Sequence, residues 1–201
     1  MRRIISIAAL ACAALLMGQP AFADTAAISL GGGTMAPMGA PTNHGWQFKA
    51  NHEMTVTSLG LWDDDDDGMD IEHPVGLWEL DSGTLLTSGV ISQGTTDPLI
   101  DHFRYVDVQD VVLVPGVDYV IGFFTGSSNQ DRMVYAGPTD LVIDPAITYV
   151  QACYGGAPSL AIPGPTTTTT YCRFGPNFQY IPEPAALGLF LAAGLLLRRR
   201  G

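Results

Sequence analysis

The sequence predicts an all-β fold: a single β-sandwich of jelly-roll type, flanked by an N-terminal signal helix and a short C-terminal hydrophobic helix. Three observations on residues 24–181 support this prediction. No stretch repeats its apolar residues with the 3.6-residue period of an amphipathic helix. Short apolar runs rich in Val, Ile, Leu, Thr and aromatic residues recur instead, and Gly, Pro and Asp separate them. About eight to ten short strands at this spacing are typical of a β-sandwich.

The first 23 residues have the three parts of a secretory signal peptide. Arg2 and Arg3 precede an apolar run over residues 4–17, and Ala21 and Ala23 form a small-x-small cleavage site. We therefore expect cleavage after Ala23. A short anchoring helix is the alternative, but the run is too short and no stop-transfer charges follow it.

The first part of the domain predicts a strand followed by a hairpin. Met54–Trp62 alternates apolar and polar residues until its pattern shifts face, and Gly60 marks an expected bulge or bend there. Val75–Leu80 and Leu85–Ile91 lie on either side of Asp81-Ser82-Gly83, which is typical of a hairpin turn.

The second part of the domain continues in short strands. Phe103–Val108 and Val111–Val114 precede Pro115-Gly116, a pair that suits the centre of a type II turn. Tyr119–Phe124 is apolar on both faces, so we expect a central strand that is covered on both sides. Further short strands are expected at Leu141–Ile143, Ala146–Val150 and Tyr171–Phe174.

The region between the two termini is strongly acidic. Of the 20 acids, all except Glu183 lie within residues 24–181, whereas five of the nine bases are terminal arginines. The region therefore carries 19 acids and 4 bases, a net charge of −15. The four bases are Lys49, Arg104, Arg132 and Arg173. Nucleic acids and anionic lipid heads attract proteins of the opposite charge, so we exclude nucleic acid as a partner.

A run of five aspartates follows the first predicted strand. Asp63, Asp65 and Asp67, with Gly68 behind them, match the first half of a D-x-D-x-D-G calcium loop. The second half does not match, because Pro74 stands where the bidentate glutamate of an EF-hand belongs. Two interpretations remain open. One is a non-helical calcium site in which Asp70 or Glu72 completes the shell, and the other is a solvated acidic turn.

Two cysteines remain after removal of the signal peptide. In an exported protein, an even pair such as Cys153 and Cys172 predicts a disulfide. The bridge would close a loop of about 20 residues and stabilise the fold by about 3 kcal/mol in the chain-entropy model. Two free buried thiols are the alternative.

Catalytic motifs are missing from the sequence. It has no G-x-S-x-G elbow, no P-loop and no G-x-G-x-x-G after a strand, and its four histidines share no metal-ligand spacing. Most aromatic residues are expected in the core of a sandwich of this size. Trp62 lies next to the aspartate run, so it is a candidate for an exposed ligand contact.

The chain ends in a short hydrophobic segment between two polar motifs. Pro182, Glu183 and Pro184 precede the apolar run Ala185–Leu197, and Arg198, Arg199 and Arg200 follow it. As a helix the run is about 20 Å long, shorter than a bilayer core of about 30 Å. The arginines would lie on the cytoplasmic side and place the domain outside, in agreement with the signal peptide. A plain permanent anchor is the alternative to a sorting signal.

This order of motifs resembles the PEP-CTERM sorting signal of Gram-negative bacteria. The resemblance implies an exosortase-type sorting enzyme as a partner, which cuts near the Pro-Glu-Pro motif, and an association with exopolysaccharide and biofilm. It also implies an inner-membrane precursor over residues 182–201 and a final location in the cell envelope, at the surface or in the extracellular matrix.

A second resemblance covers about half of the mature chain, from Gly45 to Gly122. Its Gly-Leu-Trp strand before a Ser-Gly turn, and its Pro-Gly before "YVIG", are similar to a recurrent β-sandwich domain of exported bacterial proteins. That domain has no established activity, so the resemblance implies a fold and no function.

Three functions are compatible with these observations. We expect an exported, non-enzymatic β-sandwich protein of the surface or matrix that binds exopolysaccharide. One alternative is a secreted carbohydrate-active enzyme on a jelly-roll fold, and the other is a calcium-stabilised structural protein of the surface.

Overall fold

The computed structural model describes residues 24–38, 40–127, 130–168 and 170–182. The predicted signal peptide, with Ala21 and Ala23, lies outside these residues. The predicted tail from Glu183 onward, with Pro184 and the three terminal arginines, lies outside them as well. Both terminal helices therefore stay predictions.

Within these residues the chain forms strands and no helix, which confirms the all-β prediction. The described part accordingly contains no helix that could span a membrane. The strands are β1 (Thr25–Ala26), β2 (Ile28–Ser29), β3 (Gly32–Pro37), β4 (Thr42–Ala50), β5 (Met54–Trp62), β6 (His73–Glu79), β7 (Leu85–Ile91), β8 (Leu99–Ile100), β9 (Phe103–Leu113), β10 (Asp118–Phe124), β11 (Arg132–Thr139), β12 (Val142–Ile143), β13 (Ile147–Gly156), β14 (Gly164–Pro165), β15 (Cys172–Phe174) and β16 (Pro176–Pro182).

Two large antiparallel sheets in the described residues carry the fold. One has the strand order β1-β16-β5-β9-β8, and the other has the order β14-β13-β4-β10-β6-β7. Two smaller sheets, β15-β11-β3 and β12-β2, lie beside them. The large sheets share one apolar core, so the arrangement is sandwich-like. The jelly-roll connectivity stays a prediction.

Aromatic side chains from both large sheets meet in this core. The ring centroids of Trp46 and Phe48, on β4, lie 6.1 and 5.0 Å from that of Phe178 on β16. None of the three side chains is exposed. Trp46 Nε1 donates a 2.9 Å hydrogen bond to the Pro176 carbonyl oxygen, so the polar edge of the indole is satisfied across the core. Truncating a buried aromatic ring costs about 3–5 kcal/mol, which makes this cluster a main source of stability.

Several predicted strands are confirmed. Met54–Trp62 is β5, and Tyr119–Phe124 lies in β10, which is central between β4 and β6. The predicted hairpin is formed by β6 and β7, which pair antiparallel. Gly116 has a φ of 82°, the left-handed conformation that the third position of a type II turn requires.

The prediction of two separate strands at Phe103–Val108 and Val111–Val114 is wrong. They form one strand, β9, which pairs with β5. Val56 pairs with Val111 and Ser58 with Asp107, so β9 carries extra residues there. A bulge, rather than a strand end, therefore takes up the polar pair Gln109-Asp110.

Gly60 has a different role from the predicted bulge. The register of β5 shifts between Val56 and Ser58, before Gly60 is reached. A Cβ atom at Gly60 would lie 2.6 Å from Cε1 of Tyr105, which is too close for real atoms. The position is small because the tyrosine ring packs directly on the backbone.

Three strands that position the candidate site or close the core were missed. They are β4, β11 and β16, and each contains proline, glycine or buried polar residues that obscure a period-2 pattern. The last of them, β16, inserts between β1 and β5 and ends at Pro182, the first residue of the predicted sorting motif.

Candidate functional site at the acidic loop

The loop between β5 and β6, residues 63–72, lines a cleft of about 470 Å³. Six of the lining residues are aspartates, and the loop contributes five of them. The segment before β11 supplies the remaining wall. The lining residues are Trp62, Asp63, Asp64, Asp65, Asp67, Gly68, Asp70, Gln130, Asp131 and Arg132.

A buried arginine holds the first half of this loop. Arg104 Nε donates to Asp63 Oδ2 over 2.7 Å, and the two side chains are 4% and 3% exposed. Its other nitrogens reach main-chain carbonyls: Nη1 donates to Asp97 at 3.0 Å and Nη2 donates to Asp66 at 3.1 Å. One guanidinium thus ties three segments together.

Asp63 is part of this framework. Its Oδ2 also accepts a 3.0 Å hydrogen bond from the Gly68 backbone N–H, which closes the loop on itself. Burial raises the pKa of the Asp63 carboxyl, and the hydrogen bonds and charge of Arg104 oppose that rise. The negative charge of Asp67 adds to the rise, so Asp67 lies close enough to repel Asp63. A cation bound at Asp63 would have to compete with a guanidinium that is already in place.

A buried histidine and an aspartate hold the second half of the loop. Asp131 Oδ2 lies 2.8 Å from Nε2 of His73, whose side chain is 0% exposed, and the Nδ1–H of His73 donates to the Phe124 carbonyl at 3.1 Å. The same carboxylate accepts hydrogen bonds from the backbone N–H groups of Asp70 and Ile71 at 2.8 and 3.3 Å. Burial by itself would raise the pKa of Asp131, but these hydrogen bonds outweigh it and lower the pKa.

The remaining aspartates lie on the outer part of the loop. Asp65 and Asp67 are exposed, and Asp64 is half-buried with its Oδ2 3.8 Å from Nη1 of Arg132. Asp66, with a φ of 61°, turns away to an exposed contact of 2.9 Å with Nδ1 of His102. Asp70 Oδ2 accepts a 3.0 Å hydrogen bond from the Gln130 backbone N–H.

This arrangement fits a hard cation only in part. Asp64, Asp65 and Asp67 are carboxylates of the kind that calcium prefers, and they line the same cleft. Asp63 and Asp70, which were predicted as ligands together with Asp65 and Asp67, each use an oxygen to accept a backbone hydrogen bond, from Gly68 and Gln130 respectively. In the described residues, no group of three His, Cys, Asp or Glu side chains converges as metal ligands do. The calcium site therefore stays a prediction.

Trp62 is buried instead of exposed. It is 3% exposed, and its ring packs against Phe103 and His102 with centroids 5.3 Å away in both cases. Its face is therefore not open for stacking on a ligand. Its Nε1 is buried and has no hydrogen-bond partner within the described part of the chain. A ligand contact of Trp62, at the wall of the cleft, stays a prediction.

The two cysteines lie outside this cleft. Cys153 on β13 and Cys172 on β15 are both buried and both free, which matches the alternative of two thiols. Burial raises the pKa of Cys153 to about 12 and also raises that of Cys172, so neither is a ready nucleophile at neutral pH. A disulfide in the exported protein stays a prediction.

Sequence reasoning found the acidic loop but missed the residues that hold it. Arg104 and Asp131 lie 41 and 61 residues along the chain from the loop residues that they bind. The sequence did offer one signal for these partners. The domain has only four bases, and an arginine that becomes buried needs a carboxylate partner.

Replacing Arg104 with methionine should leave Asp63 buried without its cation. Loss of one partner of a buried ion pair typically costs about 3–5 kcal/mol. We expect Arg104→Met to lower the free energy of unfolding by this amount, as measured by urea denaturation. The double variant Arg104→Met/Asp63→Leu should recover part of the loss. Equal stability of wild type and Arg104→Met would contradict the anchoring role.

The pH dependence of stability should report on Asp131. Its folded-state pKa is lowered, so its contribution is complete above the unfolded-state value of about 4 and disappears as the pH falls through the folded-state value. We expect Asp131→Asn to lose about 1–3 kcal/mol at pH 7. The difference between wild type and variant should shrink below about pH 4 in melting experiments. An exposed control, Asp81→Asn, should show no such change, and a difference at pH 3 as large as that at pH 7 would refute the assignment.

Comparison with known proteins adds no identification, because a scan against models of protein families and a search of curated proteins both found no match.

Proposed function

We propose that the chain is an exported, non-enzymatic β-sandwich protein of the cell surface or extracellular matrix, and that its domain binds exopolysaccharide. One observation carries the non-enzymatic part. The buried groups beside the cleft that could act as acids or bases, Asp63, His73 and Asp131, are engaged in holding the loop. General acid–base catalysis needs such groups to be aimed at a substrate instead.

In this proposal, the two termini direct the export of the protein and its anchoring in the inner membrane. The signal peptide starts export, and the hydrophobic tail holds the precursor in the inner membrane with its arginines in the cytoplasm. An exosortase-type enzyme then reads the Pro-Glu-Pro motif. Since β16 ends at Pro182, cleavage after this residue would leave both large sheets complete. The domain has jelly-roll connectivity in this proposal.

Binding and turnover can be separated in one experiment. The purified protein is incubated with a panel of neutral and acidic bacterial polysaccharides, and retention on each polymer is compared with the release of oligosaccharides. We expect retention without turnover. Released oligosaccharides would favour the carbohydrate-active enzyme, and retention on none of the polymers would overturn the proposed function.

Calcium stabilisation is a second candidate function, favoured by the crowding of Asp64, Asp65 and Asp67 on one cleft. A cation there would relieve the repulsion between adjacent carboxylates and supply no catalytic step. Asp63 and Asp70 would support the loop rather than provide most of the ligand oxygens.

A calcium titration tests this candidate. At a calcium concentration 100 times Kd, binding adds about 2.7 kcal/mol to the free energy of unfolding. We expect Tm to rise by about 5–10 °C relative to the protein in chelator. The Asp65→Asn/Asp67→Asn variant should lose the rise. Asp81→Asn/Asp110→Asn, which removes two exposed charges outside the cleft, should keep it. A wild-type Tm that ignores calcium would remove this candidate.

A further inference from the structure

Arg173 differs from the other three bases of the domain in its partners. Lys49 lies 3.0 Å from Asp118, Arg104 lies 2.7 Å from Asp63, and Arg132 lies 3.8 Å from Asp64. In the described part of the chain, no carboxylate forms an ion pair with Arg173. This is unexpected in a domain with 19 acids and 4 bases, where a carboxylate is available for every cation.

The rings of two tyrosines contact the guanidinium of Arg173. Its Cζ atom lies 5.0 Å from the ring centroid of Tyr135 and 4.9 Å from that of Tyr154. Both are cation–π distances. The register of β11 and β15 pairs Val134 with Phe174 and Ala136 with Cys172, which places Tyr135 directly across from Arg173.

The buried side chain of His44 holds the guanidinium of Arg173 in place. Arg173 Nη1 donates a hydrogen bond to Nδ1 of His44, so the neutral ring carries its hydrogen on Nε2, which lies 3.0 Å from Oγ1 of Thr42. Burial and the charge of Arg173 lower the pKa of His44 to about 4, so the ring is neutral at pH 7. His44 pairs with Tyr154 across β4 and β13, and their ring centroids are 4.9 Å apart.

The cluster is preorganised and open to solvent. Tyr135 and Tyr154 are 41% and 44% exposed, whereas most aromatic residues of the described chain are buried. The described residues give the guanidinium one hydrogen bond, which leaves its other N–H groups available. Arg173 is also held at a φ of 63°, a conformation that costs energy for a residue other than glycine.

The ionisable groups whose pKa Arg173 affects add no charge of their own to the cluster at pH 7. In the described residues, its charge acts on the pKa values of His44, Cys153 and Cys172. The histidine is neutral at pH 7, and burial raises the pKa of both thiols, so these are neutral too. A ligand at this patch therefore meets one cation between two aromatic rings.

We infer that Arg173, Tyr135, Tyr154 and His44 form a binding site for an acidic sugar of a polysaccharide, a pyranose that carries a carboxylate. The guanidinium donates to the carboxylate, for which its planar fork is well matched. The exposed parts of the tyrosine rings contact the apolar face of the sugar. The histidine fixes the guanidinium, so little freedom is lost on binding. The inference rests on the proposed function and names the class of polysaccharide.

Polygalacturonate and its carboxyl-reduced form are the probes, since they differ only in the carboxylate. Affinities of the purified protein for both are measured by calorimetry. We expect the carboxyl-reduced polymer to bind at least about tenfold more weakly, as loss of a charge-assisted hydrogen bond predicts. Equal affinity for both polymers would overturn the inference.

Variants locate the site. Arg173→Gln should weaken binding of polygalacturonate by about tenfold or more. Lys49→Gln, which removes a charge that is paired with Asp118 and lies outside the cleft, should change it by less than about twofold. If Arg173→Gln does not fold, as judged by circular dichroism, Tyr154→Leu and the two polymers still test the site.

The outcomes separate the two proposals. Retention of polysaccharide by wild type with an unchanged affinity in Arg173→Gln overturns the acidic-sugar site and leaves the proposed function standing. Absence of binding by wild type to acidic and neutral polymers overturns both.

Discussion

The buried guanidinium of Arg104 determines the shape of the acidic loop. Five consecutive aspartates repel one another and would favour an extended chain in water. Arg104 neutralises the first of them and fixes the carbonyls of Asp66 and Asp97, so the run must turn back directly after β5. The His73–Asp131 pair then fixes the far end of the loop. The outer carboxylates face solvent as a consequence of these two inner anchors, and the cleft exists because both are present.

The four basic side chains of the domain have two kinds of role. Lys49, Arg104 and Arg132 each lie beside an aspartate, and Arg104 is the one that is fully enclosed. Such a pair has to offset the desolvation of both charges, so it specifies the local structure more than it adds net stability. In the described residues, Arg173 has aromatic and imidazole neighbours instead and forms no ion pair with a carboxylate. The base that anchors a loop, Arg104, is therefore a different residue from the base that offers its charge to a ligand in our inference, Arg173.

The sequence predicted the parts of the fold that depend on local patterns. β5, the β6–β7 hairpin and β10 follow from alternation, turn residues and a wholly apolar run. β4 could not be predicted in this way, because its buried residues include Asn43, His44 and Gln47, which are satisfied by partners far along the chain. The candidate sites follow the same division. The aspartate run is visible in the sequence, whereas the partners of Arg104 and Arg173 depend on the pairing of distant strands.

The position of β16 has a consequence for biogenesis. This strand lies between β1 and β5, which are synthesised about 150 and 120 residues earlier, so the five-stranded sheet cannot form until almost the whole domain has left the ribosome. Pairings of such large sequence separation also make folding slow. A delay of this kind would keep the polypeptide loosely structured while it is being made, which would suit the export that we propose, since a narrow channel admits only a loosely structured chain.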